Sequence, residues 1–250
     1  MGERTSYIHG TFSWSELETN DAEAAKAFYT ALFQWDYRDD PVPGGMVYSM
    51  ASRDGKNVAA LYRGDRQPSH WNCYVTADST DDSAQRAAGL GASVLVEPFD
   101  VMTYGRMAVI ADPTGAELCL WEPREHIGAS LVNAPGSLTW NDLMTPDAGK
   151  AAEFYSGLFG WTAEEVPDGG GYRVIRNGER MNGGIMPNED APPSWMPYFG
   201  HEDVDGLIDE VPGLGGVVHS GPIELPQGKV AVLGDPQGAV FAAWTGGYED

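Results

Sequence analysis

The sequence predicts an α+β protein of two tandem domains, each built from two βαβββ modules. Two observations carry this. The first is an internal repeat: Gly10–Trp35 and Gly136–Trp161 share 12 of 26 residues at an offset of 126. The match continues through "PSHWNCY" and "PPSWMPY", "GLGASV" and "GLGGVV", and "DPTGAELCLW" and "DPQGAVFAAW". A repeat of this length means two homologous folding units. The second is the order of hydrophobic periods, which alternate between two and 3.6 in the same sequence within each copy.

Each copy opens on a strand pattern, "FSWSELET" in the first. A helix follows, because "AEAAKAFYTALF" sets Ala25, Phe28, Tyr29 and Leu32 on one stripe. Thr19 is expected to cap it. In the second copy Thr145 is the expected cap, with Pro146 at the first helical position, where a missing N–H costs nothing. Strand candidates then come at "MVYSMAS", "NVAALY" and "WNCYVTA", the last opening the next module. A second helix is expected near "STDDSAQRAAGL". Strands follow around "ASVLVEPFD", "RMAVIAD" and "AELCLWEP". The seam falls in Pro123–Gly136, which has no regular apolar period. The expected domains are residues 1–127 and 128–250.

Bulk properties narrow the function. The formal net charge of -22 repels phosphate backbones and anionic membrane surfaces, so a nucleic-acid or membrane partner is not expected. Two cysteines, Cys73 and Cys119, form no CxxC and no disulfide framework. The N-terminus has no apolar targeting core, and no run approaches a membrane span. A cytoplasmic protein is expected, either a monomer with an internal pseudo-dimer or a homodimer.

The repeated motifs resemble those of the vicinal oxygen chelate superfamily, which includes glyoxalase I, extradiol dioxygenases, methylmalonyl-CoA epimerase and the bleomycin- and fosfomycin-resistance proteins. The resemblance rests on Phe28-Tyr29 with "LFQW", on Phe154-Tyr155 with "LFGW", and on "DPTGA" and "DPQGA" before Trp121 and Trp244. It implies that paired modules form a cupped, mixed or antiparallel sheet around a cavity. In many members a divalent metal sits there, held by His, Gln or Glu.

The family spacing places the first-strand ligand at Trp14 and Trp140. The last-strand carboxylate falls at Cys119 and Ala242, and the middle ligand near Asn72 and Met196. Indole and alanine do not hold a hard divalent ion. The expected metal site is therefore absent from both repeats, and no cofactor is implied.

Strand alternation gives the residues expected to face each cavity. In the first repeat these are Phe12, Trp14, Glu16 and Glu18, then Asn72, Tyr74 and Thr76, then Glu117, Cys119 and Trp121. In the second they are Leu138, Trp140, Asp142 and Met144, then Met196, Tyr198 and Gly200, then Val240, Ala242 and Trp244. Glu16, Asp142 and Glu117 are the candidate catalytic carboxylates, since burial near indoles raises a carboxyl pKa toward proton-transfer range. Trp14, Glu18, Asn72, Tyr74, Cys119, Trp121, Trp140, Tyr198 and Trp244 are the candidate ligand-binding residues. The alternative for the indoles is that they fill the interior. The alternative for Glu16 and Asp142 is a structural bond to backbone. The five histidines do not assemble, and "NGGI" reads as a bulge or a close-packed strand.

The expected function is a metal-free binder of an apolar or aromatic metabolite or natural product, acting by sequestration or as a carrier. The first alternative is a metal-independent isomerase, cyclase or lyase with Glu16 or Asp142 as general base. The second is a glyoxalase- or dioxygenase-like metalloenzyme. Divergence at cavity positions, such as Glu18 against Met144 and Glu117 against Val240, suggests a polar first cavity and an apolar second one.

Overall fold

The structure, a computed structural model, describes residues 2–248. Four modules follow one another along the chain. A two-residue strand β1 (Gly2–Glu3) precedes the first module. That module is β2 (Phe12–Thr19), α1 (Ala22–Phe33), β3 (Asp36–Pro41), β4 (Val47–Arg53) and β5 (Lys56–Arg63). The second is β6 (His70–Thr76), α2 (Thr80–Gly89), β7 (Ser93–Val101), β8 (Gly105–Ala111) and β9 (Glu117–Pro123). A short β10 (Leu131–Val132) lies in the connector. The third is β11 (Leu138–Thr145), α3 (Ala148–Phe159), β12 (Thr162–Glu165), β13 (Arg173–Asn177) and β14 (Arg180–Pro187). The fourth is β15 (Ser194–Gly200), α4 (Val204–Glu210) with a 3-10 turn, β16 (Val217–Leu225), β17 (Gly228–Gly234) and β18 (Val240–Gly246).

The first two modules share one sheet in the order β3-β4-β5-β2-β6-β9-β8-β7. The last two repeat that order as β12-β13-β14-β11-β15-β18-β17-β16. In each, the opening strands of the two modules pair antiparallel at the centre, and parallel pairs flank them. The fold is therefore the tandem α+β arrangement expected from the repeat. β1 pairs with β10, which ties the N-terminus to the connector.

Four local expectations need correction. The helix caps lie two residues later than Thr19 and Thr145. Asp21 accepts from the Ala24 N–H and Asp147 from the Lys150 N–H. The threonine hydroxyls instead accept from the backbone N–H of Asp21 and Asp147. Pro146 consequently precedes the cap. The strand β3 was not expected, because "DYRDDP" is polar and sits at a sheet edge, where only one side needs a partner. Phe12 and Leu138 do not face the cavities. A register shift between residues 12 and 14, and again between 138 and 140, turns them to the opposite side of the sheet.

The two sheets are joined through their helix-bearing faces. One buried cluster combines Phe28, Tyr29, Phe33 and Trp35 with Phe199, Leu207, Leu233 and Phe241 of the other repeat. A second combines Phe12, Val75, Ala87 and Ile110 with Phe154, Tyr155, Trp161 and Trp195. Each first helix thus packs against the closing module of the opposite repeat. Burial of this apolar surface is the main stabilising contribution. No helix among the described residues is long and apolar enough to cross a membrane.

Candidate functional site

On the opposite face of each sheet, called its cup, a carboxylate sits at the middle of the central strand. In the first cup this is Glu16 on β2. Its Oε1 accepts from the Tyr74 hydroxyl of β6, and its Oε2 accepts from the Tyr48 hydroxyl of β4 at 2.9 Å. The Tyr48 oxygen accepts in turn from the Trp14 indole N–H at 3.1 Å. One carboxylate therefore ties three strands together. Burial pushes the Glu16 carboxyl up, against the two phenol hydrogen bonds that favour its charged form.

The second cup repeats this cluster. Asp142 on β11 is 4 % exposed. Its Oδ1 accepts from the Trp140 indole at 2.9 Å and from the Tyr172 hydroxyl at 2.8 Å. Its Oδ2 accepts from the Tyr198 hydroxyl at 2.5 Å. Burial again raises the carboxyl above its ordinary range. The two clusters use the same residue types as donors but differ in size. Glu16 pairs across the sheet with Ala60, and Asp142 pairs with Gly184. A Cβ on Gly184 would lie 2.0 Å from the Tyr172 oxygen and 2.3 Å from Asp142 Oδ1. The longer acid stands beside the larger neighbour and the shorter acid beside the smaller. The glycines of "NGGI" are thus a close approach: a Cβ on Gly183 would also lie 2.6 Å from the Asn141 carbonyl oxygen.

Away from the carboxylates the cups differ. In the first, Glu18 accepts from the Tyr62 hydroxyl at 3.2 Å, and Asn72 lies 3.5 Å from the same oxygen. Arg66 holds Glu117 with two bonds of 2.8 and 3.2 Å. Glu117 therefore belongs to Arg66, not to Glu16. Trp14, Tyr74, Cys119 and Trp121 are all buried. The His126 ring of the connector packs edge-on against Trp14, with centroids 4.7 Å apart. In the second cup Met196, Val230 and Ala242 form a small apolar cluster, flanked by Met144, Tyr198, Val232 and Trp244. Trp140, Tyr198 and Trp244 are half-buried. Among the described residues no aromatic ring packs on Trp140 or Trp244.

Tyr48, Tyr62, Arg66, His126 and Tyr172 are the site residues that sequence reasoning missed. Tyr48 and Tyr172 were accessible in principle, since they align at an offset of 124.

A metal at the family position would need ligands from the residues standing there. Trp14 and Trp140 offer an indole N–H that donates only, and Ala242 offers nothing. Burial raises the Cys119 thiol well above its ordinary pKa, which keeps it protonated. Among the described residues no group of three or more His, Cys, Asp or Glu is arranged to hold a metal ion. The residues present do not fit the family's metal.

Comparison with known proteins agrees with this architecture. Residues 14–121 match the glyoxalase-like domain family. The chain is 41% identical over 253 residues to the "Putative glyoxylase CFP32" of Mycobacterium tuberculosis (strain CDC 1551 / Oshkosh), covering 97% of each chain. It is 31% identical over 269 residues to the "Anthracycline biosynthesis protein DauV" of Streptomyces sp. (strain C5), covering 95% of this chain and 94% of that one. The Mn(II)-bound glyoxalase from Novosphingobium aromaticivorans superposes with a TM-score of 0.69 at 16% identity, covering 98% and 83%. The 2,3-dioxygenase LapB from Pseudomonas sp. KL28 gives 0.68 at 14%, covering 98% and 95%. At such identities these two structures establish the fold alone. The chain belongs to the glyoxalase-like family of the vicinal oxygen chelate superfamily.

Proposed function

We propose that this protein binds an apolar, aromatic small molecule without a metal, as a carrier or sequestering protein, and that the second cup is its primary site. The observation that carries this is the contrast between the two pairs of indoles. Trp14 and Trp121 are buried and already packed against a ring, whereas Trp140 and Trp244 are half-buried with no ring packed on them among the described residues, and Trp244 flanks an apolar cluster. Aromatic faces of this kind stack on flat ligands. Asp142 already receives three hydrogen bonds, which suits it to holding Trp140, Tyr172 and Tyr198 in place. The kinship with a protein of anthracycline biosynthesis supports a polycyclic aromatic ligand. The reading keeps the protein in the cytoplasm, in line with two free, buried thiols.

A metal-independent enzyme is the second reading, favoured by one feature. Burial raises the Glu16 carboxyl, as a general base requires, while the residue as a whole stays partly exposed.

Titration with 1-hydroxyanthraquinone, followed by calorimetry, tests the first reading. Trp140→Ala is expected to weaken binding about tenfold or more, for the loss of roughly 1.4 kcal/mol of stacking. Unchanged affinity in that variant would remove the second cup from consideration. Glu16→Gln abolishing a proton exchange on the bound probe would favour the enzyme.

A further inference from the structure

We propose that the first cup is a second aromatic-ligand site whose ring position is occupied by His126, so that a ligand enters only when that ring is displaced. The inference rests on the aromatic-ligand reading above and adds a second site, with the segment that closes it.

The connector after β9 folds back over its own sheet. The Trp121 indole N–H donates to the His126 carbonyl at 2.8 Å, and the His126 N–H donates to the Tyr104 carbonyl at 3.0 Å. Further along, the Ala129 N–H reaches the Ser13 carbonyl at 2.8 Å. These bonds seat the imidazole between two indoles. Its centroid lies 4.7 Å from Trp14 at 87° and 5.9 Å from Trp121 at 68°. A flat heteroaromatic ligand would occupy the same place, against the indole that donates to Tyr48 of the carboxylate–phenol cluster.

Two observations mark His126 as a stand-in rather than a finished core residue. Its Nε2 is buried without a hydrogen-bond partner among the described residues, a costly state for a polar atom. Burial also pushes its pKa down to about 4, so the ring is neutral and free to pack on indoles near pH 7. The second cup supplies the comparison: the same indoles there carry no ring among the described residues. Trp14 is 3 % exposed, whereas its counterpart Trp140 is half-buried. The cups share their central cluster and differ, among the described residues, in whether a ring packs on the indoles beside it.

The test counts sites with 1-hydroxyanthraquinone by calorimetry. Wild-type protein is expected to take one tight equivalent, and His126→Ala two. His126→Phe keeps a ring in place and should return to one. Imidazole is a second probe for His126→Ala. It should shift the Trp14 indole N–H resonance in that variant and leave the wild type unmoved. One tight site in His126→Ala, with no response to imidazole, would overturn the proposal. If neither protein binds the anthraquinone, the preceding reading fails, while the imidazole arm still decides this one. Should His126→Ala not fold, hydrogen exchange in the wild type replaces it. Saturating probe should then deprotect the His126 and Ala129 amides, and unchanged protection would refute the displacement.

Discussion

The hydroxyl of Tyr29 donates to Asp235 Oδ2 at 3.1 Å, across 206 positions of sequence. The mirror bond runs from Tyr155 to Asp112 at 3.0 Å. Each phenol also accepts from an indole, Tyr29 from Trp71 at 3.0 Å and Tyr155 from Trp195 at 2.9 Å. The Asp of each "DPxG" turn and the Tyr of each first helix thus form a reciprocal clamp between the repeats. These motifs, the loudest in the sequence, act far from the cups.

Tyr29→Phe leaves a buried carboxylate oxygen and an indole N–H without their partner. It is expected to cost about 1–3 kcal/mol. Tyr155→Phe should cost a similar amount, and the two should nearly add because the clamps share no partner. Urea unfolding measures both. A transition that stays single and cooperative is expected, since both core clusters draw residues from both repeats.

Much of this architecture is legible because regular patterns report regular elements. "FSWSELET" and "AEAAKAFYTALF" coincide with β2 and α1 residue for residue. The edge strand β3 has no apolar alternation to betray it, and the shifts that turn Phe12 and Leu138 are backbone events without a residue signature. In the site, repetition singles out Glu16 and Asp142 and strand alternation places Tyr74, Tyr198 and Trp140 on their face, but neither finds the second phenol of each cluster. Tyr48 on β4 and Tyr172 just before β13 reach them from two strands away, and no local period encodes that distance. His126 lies in a connector, where position depends wholly on tertiary bonds.

Gly184 sets the size of the second cluster. Gly184→Ala brings a methyl against the Tyr172 oxygen and is expected to destabilise by about 1–3 kcal/mol, as overpacking does. Combining it with Asp142→Glu recreates the Glu16–Ala60 pairing of the first cup. The double variant should therefore lose less than the sum of the two singles. Thermal unfolding of all four proteins closes the cycle, and strict additivity would show that the pairing is incidental.

The carboxyls of Glu16 and Asp142 are raised by burial, so the folded state holds their protons more tightly than the unfolded chain. Between the unfolded carboxyl pKa, about 4, and the raised folded value, the native state binds more protons. Their contribution is fully present below that window and is lost as pH rises through it. Asp142→Asn removes one such group. The urea midpoint of the wild type, relative to this variant, should fall as pH increases from about 4 toward neutrality. A difference that is flat with pH would mean the carboxyl is not raised.

Chelation is expected to change nothing. The side chains at the family's metal positions are two indoles, a protonated thiol, an alanine methyl, the Asn72 amide and the Met196 thioether, a poor set for a hard divalent ion, so the protein should purify with less than one ion per chain. Dialysis against EDTA should leave the melting temperature where it was. Elemental analysis finding one tightly held ion, lost together with stability on chelation, would contradict the ligand analysis.

Trp14 and Trp140 occupy equivalent positions and should fail in opposite ways. Trp14 is buried, bonded to Tyr48 and covered by His126, so Trp14→Ala opens a large cavity. It is expected to cost about 3–5 kcal/mol of stability, in the usual range for a buried large aromatic. Trp140 is half-buried and has Asp142 and Tyr172 as partners for its indole. Trp140→Ala should cost less stability, because less packed surface is lost, and more affinity for a flat aromatic probe. Melting curves and calorimetric titrations on the same two proteins read both quantities. If Trp14→Ala is the mild change for stability and the severe one for binding, the ligand lies in the first cup and the roles given to the two cups must be exchanged.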